Sequence, residues 1–178
     1  MRMPSLPRIC VSLILAGAAI CAAAAPNQKP LPDRIQVSWA PTEKLTEVKD
    51  NQMQRGTLKP DEWQKMISDH MRKRADATLP EGQRLEVTID DIKLAGSYEP
   101  WRGPNAQDIR VMKDVYPPRM DLHYRLLAAD GTSIRDGEGK LRDMGYLQRT
   151  MPFSTDPLRY DKRMIDDWLR KEFGRPRD

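Results

Sequence analysis

Cysteine is the first thing this sequence has little of: its two cysteines, Cys10 and Cys21, both fall within the first 24 residues. Those residues read as a secretory signal. Arg2 and Arg8 form a basic start, Ile9 to Ile20 is uncharged and mostly apolar, and Ala22, Ala23 and Ala24 supply the small side chains that a signal peptidase accepts. Cleavage is expected after Ala24, which leaves Ala25 as the new N-terminus. Counted through Ala25, the apolar run stays below the about 20 residues that a membrane anchor requires. The bulky Ile20 before Cys21 disfavours lipidation of that cysteine. The mature chain is then free of cysteine, which excludes disulfides, a thiolate nucleophile and a thiolate zinc site. The expected location is periplasmic or secreted, with no membrane span after signal cleavage.

Histidine is nearly as scarce, with only His70 and His123. The serines beyond the signal, Ser38, Ser68, Ser97, Ser133 and Ser154, never stand in a G-x-S-x-G turn, and neither histidine belongs to H-E-x-x-H. Triad hydrolases and zincin-type proteases are therefore poor matches. Neither G-x-G-x-x-G nor G-x-x-x-x-G-K-[ST] occurs, so the usual phosphate-cradling loops are missing and no cofactor is expected. The chain has 30 basic and 26 acidic side chains. Removing the signal takes away two arginines and no acid, which leaves a net charge of about +2 and makes nucleic acid an unsuitable partner. About 154 residues remain, enough for one domain with one core.

What is present reads as alternating strands and helices. Residues 26–34 carry three prolines and form an extended lead-in. Ile35, Val37 and Trp39 alternate with polar residues as a strand that Pro41 ends, and residues 41–59 read mostly as loop. From Pro60, Trp63, Met66, Ile67, His70 and Met71 recur at helical spacing for about four turns, with Asp61 and Glu62 near the positive end of the helix dipole. His70 stands at the edge of that apolar stripe as a boundary residue. Leu85, Val87 and Ile89 then share one face of a strand, but Ile92 and Leu94 fall on the opposite parity. A β-bulge at Asp90-Asp91 explains the slip, with a carboxylate pair for metal or acid/base work as the alternative.

Residues 95–107 form a Gly- and Pro-rich loop that carries Tyr98, Trp101 and Arg102, residue types that dominate binding hot spots. Trp101 is either displayed there or folded back as a lid over the core, the commoner fate of a large aromatic. A short strand at Ile109 and Val111 follows, then an amphipathic one through Met120, Leu122, Tyr124 and Leu126 whose other face bears Asp121, His123 and Arg125. Asp130-Gly131 turns the chain into a further strand that reaches about Arg142. Gly137 and Gly139 within it suggest an edge, a bulge or a close backbone approach. The last helix has Asp156 as N-cap and Pro157 in its first turn. Tyr160 or Asp161, then Met164, Ile165, Trp168, Leu169 and Phe173, follow helical spacing, and Gly174 and Pro176 close the helix.

Two constellations could carry chemistry. Asp121-x-His123 places a carboxylate and an imidazole on one strand face, a two-ligand match to a metal site, or else an ordinary salt-bridged face shared with Arg125. Arg110, Arg119 and Arg142 could accept an anionic ligand bidentately, or else belong to a charged surface.

Several separated blocks carry a family resemblance. They are Thr88-Ile89-Asp90-Asp91-Ile92-Lys93-Leu94-Ala95-Gly96, the run from Asp108 to Arg119, Leu141-Arg142-Asp143-Met144, Arg159 to Met164, and Asp167-Trp168. Over roughly residues 35–174 the chain resembles a bacterial family of exported proteins catalogued as domain of unknown function 3016. The resemblance implies a periplasmic, single-domain protein and transfers no activity and no catalytic residue.

The element order predicts an α+β fold, a mostly antiparallel sheet with two helices packed on one face. Residues 1–24 are the signal, 25–34 the lead-in and 35–174 the single domain. The leading functional expectation is a non-catalytic binding or scaffold module of the cell envelope, with Tyr98, Trp101 and Arg102 as its contact loop. Its expected partner is an envelope protein or an anionic ligand. The alternatives are a small metal-dependent or acid/base hydrolase using Asp90, Asp91, Asp121 and His123, and an anionic small-molecule binder using the arginines.

Overall fold

A computed structural model describes residues 33–51, 58–103, 108–149 and 154–174. The expected signal, the lead-in up to residue 32, and Pro176 lie outside the described residues. Strands β1 (Ile35–Trp39), β2 (Arg84–Lys93), β5 (Arg119–Leu127) and β6 (Ser133–Arg142) form one sheet in the order β1-β2-β5-β6. Strand β1 runs parallel to β2, and the other two pairings are antiparallel. A parallel neighbour needs a crossover, and α2 (Pro60–Thr78) lies in the one that joins β1 to β2. The closing helix α3 (Arg159–Phe173) lies beside α2 on the same face of the sheet.

Period-two alternation sorts the sheet into a covered and an open face. Leu85, Val87, Ile89 and Ile92 of β2 and Met120, Leu122, Tyr124 and Leu126 of β5 are buried. They pack against Trp63, Ile67, Met71 and Ala75 of α2 and Met164, Ile165, Trp168 and Leu169 of α3. The expected bulge is present. Ile89 pairs with Leu122 and Asp91 with Asp121, which leaves Asp90 as the extra residue and restores Ile92 to the core face.

The glycines of β6 are explained by both edge position and close approach. A Cβ on Gly137 would lie 2.7 Å from the Tyr124 hydroxyl, and one on Gly139 would lie 2.9 Å from Leu122 and 3.1 Å from the Trp168 indole nitrogen. Without those side chains, α3 settles onto the strand. Tyr124, Trp168 and Phe173 then meet edge to face, with centroids 5.4–5.7 Å apart.

Three local features differ from the sequence reading. Residues 41–59, read as loop, include a 3-10 turn (Thr42–Lys44) and a five-residue helix, α1 (Thr46–Asp50). That helix shows no apolar stripe; Asp91 caps it instead, accepting hydrogen bonds from the Thr46 amide at 2.6 Å and the Thr46 hydroxyl at 2.7 Å. Loop 95–107 includes β3 (Ser97–Tyr98), which pairs with β4 (Arg110–Val111) as a small second sheet. Asp156 accepts the Leu158 amide at 2.9 Å and so shapes a turn ahead of α3, whose first helical residue is Arg159.

Candidate functional site

The β3–β4 hairpin leaves the end of β2 through Gly96, whose φ of +80° suits glycine. A Cβ there would also lie 2.7 Å from the Met112 sulfur and 2.9 Å from the Val111 carbonyl oxygen. Just before it, the chain is fastened by buried ions. Arg110 donates from Nη2 to Glu47 of α1, and its Nη1 donates to the Ala95 carbonyl at 3.1 Å. Its guanidinium sits 4.8 Å above the Tyr98 ring. Lys93 lies 3.5 Å from Glu47 and 3.1 Å from Asp50. The Leu94 amide donates to Glu47 at 3.1 Å, and the Ala95 amide to Asp161 of α3 at 3.0 Å.

Glu47 is 4% exposed and Asp161 1%. Burial pushes the Asp161 carboxyl up to about 7, against the pull of the Ala95 amide and Arg110, with the Glu47 charge adding to the rise. Burial works against the Arg110 charge, yet Glu47 more than offsets it and the guanidinium holds its proton more tightly than usual.

Further along the hairpin, Glu99 is 2% exposed and has two hydrogen-bond donors on Oε1 and an ion-pair partner beside Oε2. Lys113 Nζ lies at 2.6 Å, the Tyr116 hydroxyl at 2.9 Å and Arg102 Nε at 2.6 Å. The Lys113 hydrogen bond leads in holding Glu99 below the usual carboxylate range, and the Glu99 bond leads in raising the Tyr116 hydroxyl. The segment after β6 joins this assembly: the buried Tyr146 donates to the Lys113 carbonyl at 2.8 Å and stacks edge to face on Tyr160.

The residues singled out by sequence therefore separate. Tyr98 is buried rather than displayed, because it forms the floor under Arg110. Arg102 is tied to Glu99. Trp101, in the 3-10 turn Pro100–Arg102, is 72% exposed and is no lid over the core. The three arginines do not converge. Arg110 turns inward, whereas Arg119 and Arg142 are cross-strand neighbours at one end of the open sheet face. Arg142 is already engaged by Asp121 at 2.8 Å and by the Met120 carbonyl at 3.2 Å.

Asp121 and His123 share that face without sharing a ligand geometry. Asp121 faces Arg142, while His123 Nδ1 lies 3.0 Å from Asp90. Asp91 is occupied at the start of α1, so the paired carboxylates of the bulge serve two different partners. Among the described residues, no group of three His, Cys, Asp or Glu side chains is placed to hold a metal ion. His70, half-buried at the edge of the apolar stripe of α2, lies 2.8 Å from Asp166 of α3, which Arg74 also contacts.

The functional reading of the sequence overlooked Glu47, Lys93 and Asp161. One signal was available: Asp161 stands one helical turn before Ile165, on the stripe where an apolar side chain belongs. Glu47 had none, since it lies in a five-residue helix without periodicity.

Searches of curated proteins and of solved structures find no match. A family model does match, over residues 33–171, a span that holds the whole sheet, the buried charge cluster and nearly all of α3. The chain belongs to the family described as Protein of unknown function (DUF3016).

Proposed function

We propose that this protein is exported to the periplasm, loses residues 1–24, and works there as a non-catalytic binding or scaffold module of the cell envelope. The exposure of Trp101 carries the reading. Four of the five large hydrophobic side chains exposed among the described residues, Trp101, Ile109, Val115 and Met144, belong to the hairpin and the two segments bonded to it. The fifth, Ile134, stands on β6. A large aromatic on a turn fixed by Glu99 and Arg102 is an anchor that loses little freedom on binding.

The basic start, apolar run and alanine triplet of residues 1–24 support export. Among the described residues, no helix is long and apolar enough to cross a membrane. Cell fractionation with mass measurement tests the address: a periplasmic species beginning at Ala25 is expected, and a cytoplasmic full-length chain overturns it. Crosslinking in envelope extracts tests the surface. A partner captured by the wild type and lost with Trp101→Ala and Val115→Asp is expected; capture unchanged by both variants overturns the assignment.

A further inference from the structure

Two backbone amides at the root of the hairpin have buried carboxylates as acceptors, Leu94 on Glu47 and Ala95 on Asp161. The acids come from different elements, α1 and the first turn of α3, and Arg110 of β4 bonds to Glu47 and acts electrostatically on Asp161. We propose that the Glu47–Arg110–Asp161 cluster is a proton-operated latch, closed when Asp161 is protonated and looser when it is ionised, which sets how readily the hairpin bearing Trp101 opens. The inference rests on the binding reading only for the use of the latch, since opening is measurable without a partner.

The groups that face Asp161 come from every side. Glu47 approaches from α1 and Arg110 from β4, while Lys93 of β2 acts through Glu47 and Asp50. Tyr98 lies under Arg110, and the Tyr146 hydroxyl, raised chiefly by its own burial, also feels the Asp161 charge. With Asp161 neutral, one buried acid is matched by Arg110 and Lys93. Ionisation sets a second carboxylate in the same dry space, where Arg110 and the Ala95 amide recover only part of the lost hydration.

The sign follows from linkage. Burial pushes the folded carboxyl up to about 7 from its ordinary 3.8. Protons therefore favour the closed root, and that advantage is complete below the unfolded value. It is lost as pH rises from there through about 7, and above that the stability of the root no longer changes with this group.

Hydrogen exchange on the mature chain between pH 5 and pH 8, corrected for the intrinsic rate, tests this. Protection at Leu94 and Ala95 is expected to fall by up to about a hundredfold over that range, while amides of the β2–β5 ladder stay unchanged. In Asp161→Asn the fall is expected to vanish. A flat wild type, or a fall that persists in Asp161→Asn, overturns the latch. Should Asp161→Asn fail to fold, infrared titration of the wild type decides: a protonated-carboxyl band present at pH 6 and gone at pH 8 is expected, and its absence at pH 6 overturns the proposal. Flat exchange in a protein that still captures a partner through Trp101 removes the latch alone. A working latch with no Trp101-dependent partner removes the binding reading alone.

Discussion

The helix-backed sheet and the hairpin assembly are held by opposite means. Across the sheet, buried side chains are almost all apolar, and Gly137 and Gly139 let an aromatic cluster close against the backbone. At the hairpin the buried anchors are Glu47, Asp161 and Glu99, which take amides, arginines, lysines or a tyrosine as partners. Apolar packing is tolerant of conditions and roughly additive in area. A buried ion is stable only while all its partners are present, so the hairpin is the half of the molecule that can be released by a single proton or a single substitution.

The sharpest way to break the contrast is from the sheet side. Trp168→Ala is expected to cost about 3–5 kcal/mol by leaving a void between α3 and β6, read as a lower midpoint in a global denaturant or thermal melt. An unchanged melt would remove Trp168 from the core. Glu47→Ala strands the Arg110 charge, leaves Lys93 with Asp50 alone, and frees the Leu94 amide. About 3 kcal/mol is expected, appearing first as lost exchange protection at residues 94–96 while the sheet stays protected. Simultaneous loss in both regions would show that they unfold as one. Gly137→Ala drives a methyl into the Tyr124 ring and is expected to cost about 1–3 kcal/mol, with the change confined to the β5–β6 pair in an exchange map. The smallest effect belongs to Trp101→Ala, within about 0.5 kcal/mol of wild type in a melt, because the side chain is largely in solvent. A larger loss would mean that Trp101 is structural and not an anchor.

Legibility in the sequence follows the same division. Alternation named the strands β2 and β5, helical spacing named α2 and α3, and the parity slip at Asp90-Asp91 named the bulge, since burial of apolar faces leaves a period. The hairpin leaves none. Tyr98 read as an exposed contact because its ring packs under a guanidinium and not in an apolar stripe. Trp101 defied the usual burial of tryptophan because a turn of three residues places it outside the core. The 110/119/142 arginine set fell apart because partners far away in sequence, Glu47 at 63 residues from Arg110 and Asp121 across the sheet from Arg142, decide where each guanidinium goes. Pairings of that kind leave no mark in local composition.

Asp90 has one further consequence. Every ladder pair from Arg84 with Leu127 to Lys93 with Arg119 is complete without it, so a chain lacking that residue could still form the same β2–β5 pairs with the same side chains facing the helices. What it would lose is the local bend and added twist that an unpaired residue gives a strand, and with them the course along which β2 delivers Leu94 and Ala95 to their two acids. The contribution of Asp90 to the fold is direction, a property of the backbone path that no side chain supplies.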